Sequence, residues 1–254
     1  MTSILGLQPP ELALAMLAGA GAGFVKGAVG FGMPMLMISS LASFLPPETA
    51  LGALILPTLV TNAAQALRQG PASALATACR FRLYLSVLVG MIFVTALWVP
   101  SLPRSFMFAL VGTLILVFVA SQLVGLSLRR PPGPVPLAVS LGLAGGFSGG
   151  LAGVWGPPTV AYLLALNVPK VEMIRAQGVI YSVGSVVLLA GHLRSGVFSG
   201  QAAWLSAVLV VPVLAAMYLG VRAQDRLDAR RFRQATLLVL ALAGANLLRR
   251  AFLV

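Results

Sequence analysis

Apolar residues run through this chain in long uninterrupted stretches, and the polar breaks between them mark ten elements. These span 11–31, 33–45, 50–67, 83–99 and 106–127, then 137–155, 157–168, 173–193, 202–221 and 235–252. The stretches are continuous rather than alternating, which predicts helices and not the period-two strands of a membrane barrel. A helix crossing a bilayer core of roughly 30 Å needs about 20 apolar residues. The segments 33–45 and 157–168 fall short of that. They are expected either as re-entrant half-membrane helices, giving ten elements, or as continuations of a neighbouring broken span, giving eight. Non-helical backbone at that depth is tolerated only where protein or a water-filled cavity surrounds it.

Each short segment follows the same punctuation. The first half reads Gly23-Phe24-Val25-Lys26-Gly27-Ala28-Val29-Gly30-Phe31-Gly32-Met33-Pro34, and the second Gly146-Phe147-Ser148-Gly149-Gly150-Leu151-Ala152-Gly153-Val154-Trp155-Gly156-Pro157. Both fit G-F-x-x-G-x-x-G-x-x-x-P, 123 residues apart, and the same offset pairs Gly19 with Gly142 and Pro46 with Pro169. A match sustained over that many positions predicts an internal duplication: a first repeat over 1–128, a linker over 129–136 and a second repeat over 137–254. Glycines at three- and four-residue spacing lay bare backbone on one helix face, and they also permit local unwinding. Proline at the end of the motif suits the first turn of a new helix. A helix N-terminus is therefore expected at Pro34 and another at Pro157, each with unpaired N–H groups and partial positive charge that favour an anion.

Composition narrows the solvent. Of 254 residues 59% are hydrophobic and 9% charged, too little charge to wet the surface of a soluble domain of this length. The net charge of +12 does not indicate nucleic acid, because the basic residues sit in short clusters between apolar stretches. That is the distribution the positive-inside rule describes. Arg68, Arg80, Arg82, Arg129, Arg130, Lys170, Arg175, Arg222, Arg226, Arg230, Arg231 and Arg233 are expected on the cytoplasmic side, with Arg104, Arg194, Arg249 and Arg250 outside. Five elements per half then place both termini outside and give the halves opposite orientation. The Arg249/Arg250 pair is the one cluster that argues against this scheme. The expected fold is all-α: a polytopic bundle of eight to ten membrane elements in two inverted repeats, in a bacterial inner membrane. The first apolar stretch carries no basic n-region and belongs to the repeat, so it is expected as retained structure and not a signal peptide.

The same counts limit chemistry. Cys79 and His192 are single, and Glu11, Glu48, Glu172, Asp225 and Asp228 fall at element ends or in loops. Neither a metal site, a cofactor site nor a nucleophile–base pair is expected. Polar residues instead cluster after each short segment: Thr58, Thr61, Asn62 and Gln65 in the first half, Gln177, Tyr181, Ser182 and Ser185 in the second. Asn62 and Ser185 correspond at the repeat offset. Lys26 has Gly149 as its counterpart, so the charge is present in one repeat only. A lysine inside an apolar segment either faces a protein-lined cavity, where it serves an anion, or snorkels to an interface. Trp155 either stacks on a ligand or fills core volume.

The paired motif, the prolines that follow each short helix and the two-half layout resemble the TauE/SafE family of sulfite exporters across nearly the whole chain. The resemblance implies a permease for small sulfur-containing anions such as sulfite or organosulfonates; the coupling ion is left open between a proton and sodium. An anion channel of the same architecture is the nearest alternative. The substrate is expected to meet Lys26, Gly27, Gly30, Pro34 and Asn62 from the first repeat, and Gly150, Gly153, Trp155, Pro157, Gln177 and Tyr181 from the second. The two repeats are expected to rock about that site.

Overall fold

A computed structural model describes residues 7–124, 133–223 and 229–253. Arg129, Arg130, Arg226, Asp225, Asp228 and the first half of the expected linker lie outside these. The described residues form helices α1 (Pro9–Val29), α2 (Met33–Leu41), α3 (Pro47–Ala66), α4 (Pro71–Arg80), α5 (Arg82–Trp98) and α6 (Arg104–Val124). The second half supplies α7 (Pro134–Ala152), α8 (Gly156–Ala165), α9 (Lys170–Ser195), α10 (Gly200–Ala223) and α11 (Ala229–Ala251). Seven of the long helices are apolar enough to cross a membrane. With 23 residues α11 has the length as well, and basic residues at both ends lower its hydropathy. Val117, Leu123, Val211, Leu238 and Leu242 are all more than half exposed on the outer faces, as contact with hydrocarbon requires.

Eight and ten both describe the result. Among the described residues eight long helices form the bundle, and α2 and α8, with 9 and 10 residues, are separate half-length helices beside them. The breaks follow from glycine. Gly30 (φ 86°) ends α1 by donating its N–H to the Lys26 carbonyl at 2.7 Å, and Gly32 (φ 92°) opens α2. Gly153 (φ 70°) ends α7 by the same bond to Gly149. A side chain in that left-handed region is strained, so both turns need glycine. Pro46 and Pro169 share one conformation, φ −58° with ψ 143° and 146°, and each opens the next long helix.

One helix is absent from the expected set. α4 lies in the basic loop between α3 and α5, where a search for spanning apolar stretches passes over it, although proline at its first turn and its alanines favour a short helix. It and the turn before it dock on the start of α9: Arg175 donates to Gln69 in that turn (3.2 Å) and to Ser73 of α4 (3.1 Å), and Arg80 pairs with Glu172. These contacts gather Arg68's loop, Arg80 and Arg175 at one end of the bundle. Glu48 and Arg104 meet at the other end at 3.6 Å.

Motif counterparts pack alike. A Cβ at Gly23 or Gly27 of α1 would meet the carbonyl oxygens of Val213 and Met217 on α10. A Cβ at the counterparts Gly146 and Gly150 of α7 would meet those of Leu88 and Ile92 on α5. So α1 packs on α10 as α7 packs on α5, and α3 packs on α10 as α9 packs on α5. The pairs that this exchange maps onto themselves, α3 with α9 and α6 with α11, are each in contact. The halves are interleaved: at all four of these glycines a helix of one half presses on the main chain of the other.

Arg250, half of the pair that argues against the charge scheme, has an internal role. Its guanidinium donates to the Ala42 carbonyl at the C-terminus of α2 and lies over the Phe108 ring, 4.4 Å from the centroid. A half-length helix ends at depth with unpaired carbonyls and a negative dipole end, and a cation there satisfies both. Asn246 adds a bond from the same helix to Ser43 at 3.3 Å.

Candidate functional site

The site begins with Lys26, because a cation is 2% exposed in the middle of an apolar bundle. It sits four residues before the Gly30 break. From there its ammonium reaches α3, donating to Thr61 Oγ1 at 3.0 Å and to Asn62 Oδ1. Both acceptors are held in place by their own bonds. Thr61 donates its hydroxyl to the Pro57 carbonyl at 2.7 Å. The Asn62 amide nitrogen donates to Ser185 Oγ at 2.8 Å and to the Tyr181 carbonyl at 3.2 Å. The amide therefore turns its oxygen to the lysine.

Asn62 and Ser185 occupy equivalent positions at the 123-residue offset, and they touch. Contact between positions 123 residues apart puts the lysine network where the two halves meet. The halves contribute unequally. Lys26, Thr61 and Asn62 come from the first; the second supplies Ser185, the Tyr181 carbonyl and the hydroxyl of Tyr181, which donates to the Gly156 carbonyl at 3.3 Å.

Beside the ammonium is a cavity of about 20 Å³, room for a water-sized molecule. Six of the residues expected at the site line it: Lys26, Pro34, Asn62, Gly153, Trp155 and Tyr181. Phe31, Gly32, Met35, Val154 and Gly156 complete the wall. The first turns of α2 and α8 thus both face the cavity from opposite halves. Among the described residues no carboxylate lines it. Two helix N-termini and one lysine make a site polarised for an anion, with neutral groups as the fixed partners of the cation.

The other expected residues sit elsewhere. Gly27 and Gly150 are the close-contact positions against α10 and α5. Gly30 is the cap of α1, Pro157 lies in the first turn of α8, and Gln177 is buried on α9 one turn before Tyr181. Of the polar cluster, Gln65 bonds the Ile174 carbonyl at 3.1 Å, which ties α3 to α9, and Thr58 is buried with its hydroxyl unpartnered. Thr61 and Ser185 belong to that cluster but not to the expected substrate set; the four-residue spacing of Ser185 from Tyr181 is a signal that could have placed it there, whereas Thr61, adjacent to Asn62, has no such spacing. His192 is buried near the end of α9, its Nδ1 3.4 Å from Ser195, far along the helix from Tyr181. No group of metal-ligating side chains occurs among the described residues.

Compared with known proteins, residues 15–247 match the family described as Sulfite exporter TauE/SafE. Neither the curated proteins nor the solved structures contain a match.

Proposed function

The chain belongs to the TauE/SafE sulfite exporter family, and from that premise we propose that it is a secondary transporter carrying sulfite or a small organosulfonate across the bacterial inner membrane. The observation that carries this reading is the Lys26 ammonium, buried among neutral partners beside a cavity that two half-helix N-termini face. An oxyanion supplies the counter-charge that the protein withholds. Pro34, Asn62, Gly153, Trp155 and Tyr181 complete the substrate site in this reading.

Lys26 is 2% exposed, so an anion reaches its ammonium only when the surrounding walls move, which favours a carrier over an open channel. The moving units in this reading are not the two sequence repeats, because rocking one against the other would break the tightest glycine contacts between them, those of α1 on α10 and of α7 on α5. They are two mixed bodies: α1, α2, α3 and α10 on one side, α7, α8, α9 and α5 on the other. The site lies where these meet, along the α3–α9 contact, and alternating access is a tilt about that seam.

Saturable uptake of labelled sulfite into proteoliposomes is the expected result; unitary anion currents in a planar bilayer, or no uptake, would overturn it. Engineered disulfides test the division into bodies, after replacement of the exposed Cys79. A cysteine pair bridging α5 and α9, within one body, leaves uptake intact once oxidised, and a pair bridging α3 and α9, across the seam, arrests it until reduced. Equal inhibition by both would show that the bodies are drawn wrongly.

A further inference from the structure

The repeat offset pairs Lys26 with Gly149, Thr61 with Gly184 and Gly32 with Trp155, and in space these three exchanges are one. In the first half Lys26 leans on Thr61, and Gly32 leaves the space in front of them empty: a Cβ there would find its nearest neighbour at 4.0 Å. In the second half both counterparts of that bonded pair are glycine. Their missing side chains are replaced by the Trp155 indole, which would lie 3.0 Å from a Cβ at Gly149 and 3.3 Å from one at Gly184. The indole is 2% exposed and packs edge-on against Tyr181 at 6.4 Å. One half thus holds a lysine beside open space, and the other holds an aromatic plug in the equivalent volume.

From this exchange we propose that Trp155 sets the size limit of the cargo: it closes the second of two symmetry-related half-sites, so that a single small anion head group is held at Lys26. The proposal rests on the transport reading above. Trp155 also walls the cavity that Lys26 faces, so the plugged volume and the open one share the indole as their partition. Shortening it joins them and leaves room for a carbon chain behind an anionic head. The second volume is lined by Gly149, Gly184 and the Ile92 side chain, and so is apolar. It is suited to an alkyl tail and not to a second charge.

The test is competition against labelled sulfite uptake by unlabelled sulfite and by straight-chain alkanesulfonates of one to six carbons. In wild-type protein the effective concentration should rise steeply with chain length. In Trp155→Ala the longer alkanesulfonates should compete at least tenfold better relative to sulfite, and Trp155→Phe should fall between the two. An unchanged ratio in either variant that still takes up sulfite overturns the proposal. If neither variant takes up sulfite, thermal stabilisation of the purified protein by the same series measures the same ratio, and an unchanged value there overturns the proposal equally. Absence of sulfite uptake and binding in the wild type would instead strike the transport reading itself.

Discussion

Replacing Lys26 with methionine is expected to abolish saturable anion uptake while leaving a folded protein. Methionine keeps the length and apolar stem of the side chain, so the bundle retains its packing and loses one charge. In the site that charge has no carboxylate among the described residues to offset it, and its donors meet Thr61 and Asn62. Removing one member of a buried charge pair, here the protein's cation facing the anion, costs about 2–5 kcal/mol. At roughly 1.4 kcal/mol per tenfold, that weakens anion binding by about thirty-fold to several thousand-fold. Thr61 and Asn62 each lose a donor as well, so a lower melting temperature accompanies the functional loss. Lys26→Arg restores charge without the fit of a compact ammonium and should recover only part of the uptake. Initial rates in proteoliposomes decide the matter, with size-exclusion profiles to confirm folding. Wild-type uptake by Lys26→Met would place the anion elsewhere.

Valine at Gly27 or Gly150 should prevent assembly of the bundle altogether. In each case the added atoms run into the main chain of the facing helix: the Met217 carbonyl and Val221 nitrogen for Gly27, the Ile92 carbonyl and Ala96 nitrogen for Gly150. Backbone cannot rotate out of the way as a side chain does, so the helices must separate. Even alanine should cost about 1–3 kcal/mol through overpacking. The contrast lies in the same set of membrane helices. Gly21 and Gly90 have nothing within 4 Å of a Cβ position, and alanine there should be neutral or slightly stabilising. Fluorescence-detected size exclusion and melting curves separate the two classes. Equal tolerance at all four positions would contradict the close approach of α1 to α10 and of α7 to α5.

The paired substitutions also show how far the linear pattern reaches. G-F-x-x-G-x-x-G-x-x-x-P contains glycines of two kinds, and spacing alone treats them alike. Gly27 and Gly150 serve helix contact, whereas Gly30 and Gly153 serve the turn that starts a new helix. Which is which depends on the partner helix, and α10 and α5 come from the opposite half, distant in sequence. The lysine was legible because an isolated charge in an apolar stretch is costly wherever it lies. Its acceptor Asn62 was legible as a polar residue on a helical face. That the two meet, and that Asn62 touches Ser185, depends on how the two halves pack together.

Charge placement is readable for the same reason that it misleads at one point. Basic residues report sidedness only where the end of a half-length helix inside the bundle does not hold them. Arg250 is held by the α2 carbonyl end and the Phe108 ring, and so it says little about topology. α4 escapes for a different cause: a short helix on the bundle's end has no spanning apolar stretch to announce it.

By itself the sequence determined the solvent, the helical class, the paired motif and the two breaks, because each depends on local composition and on conformations that only glycine or proline permits. The tertiary structure alone decided that the halves interleave, that the cavity lies along the α3–α9 contact, and that Trp155 stands where the second half lacks its lysine. Those are facts about volumes shared by residues far apart in the chain, and no local pattern encodes a shared volume.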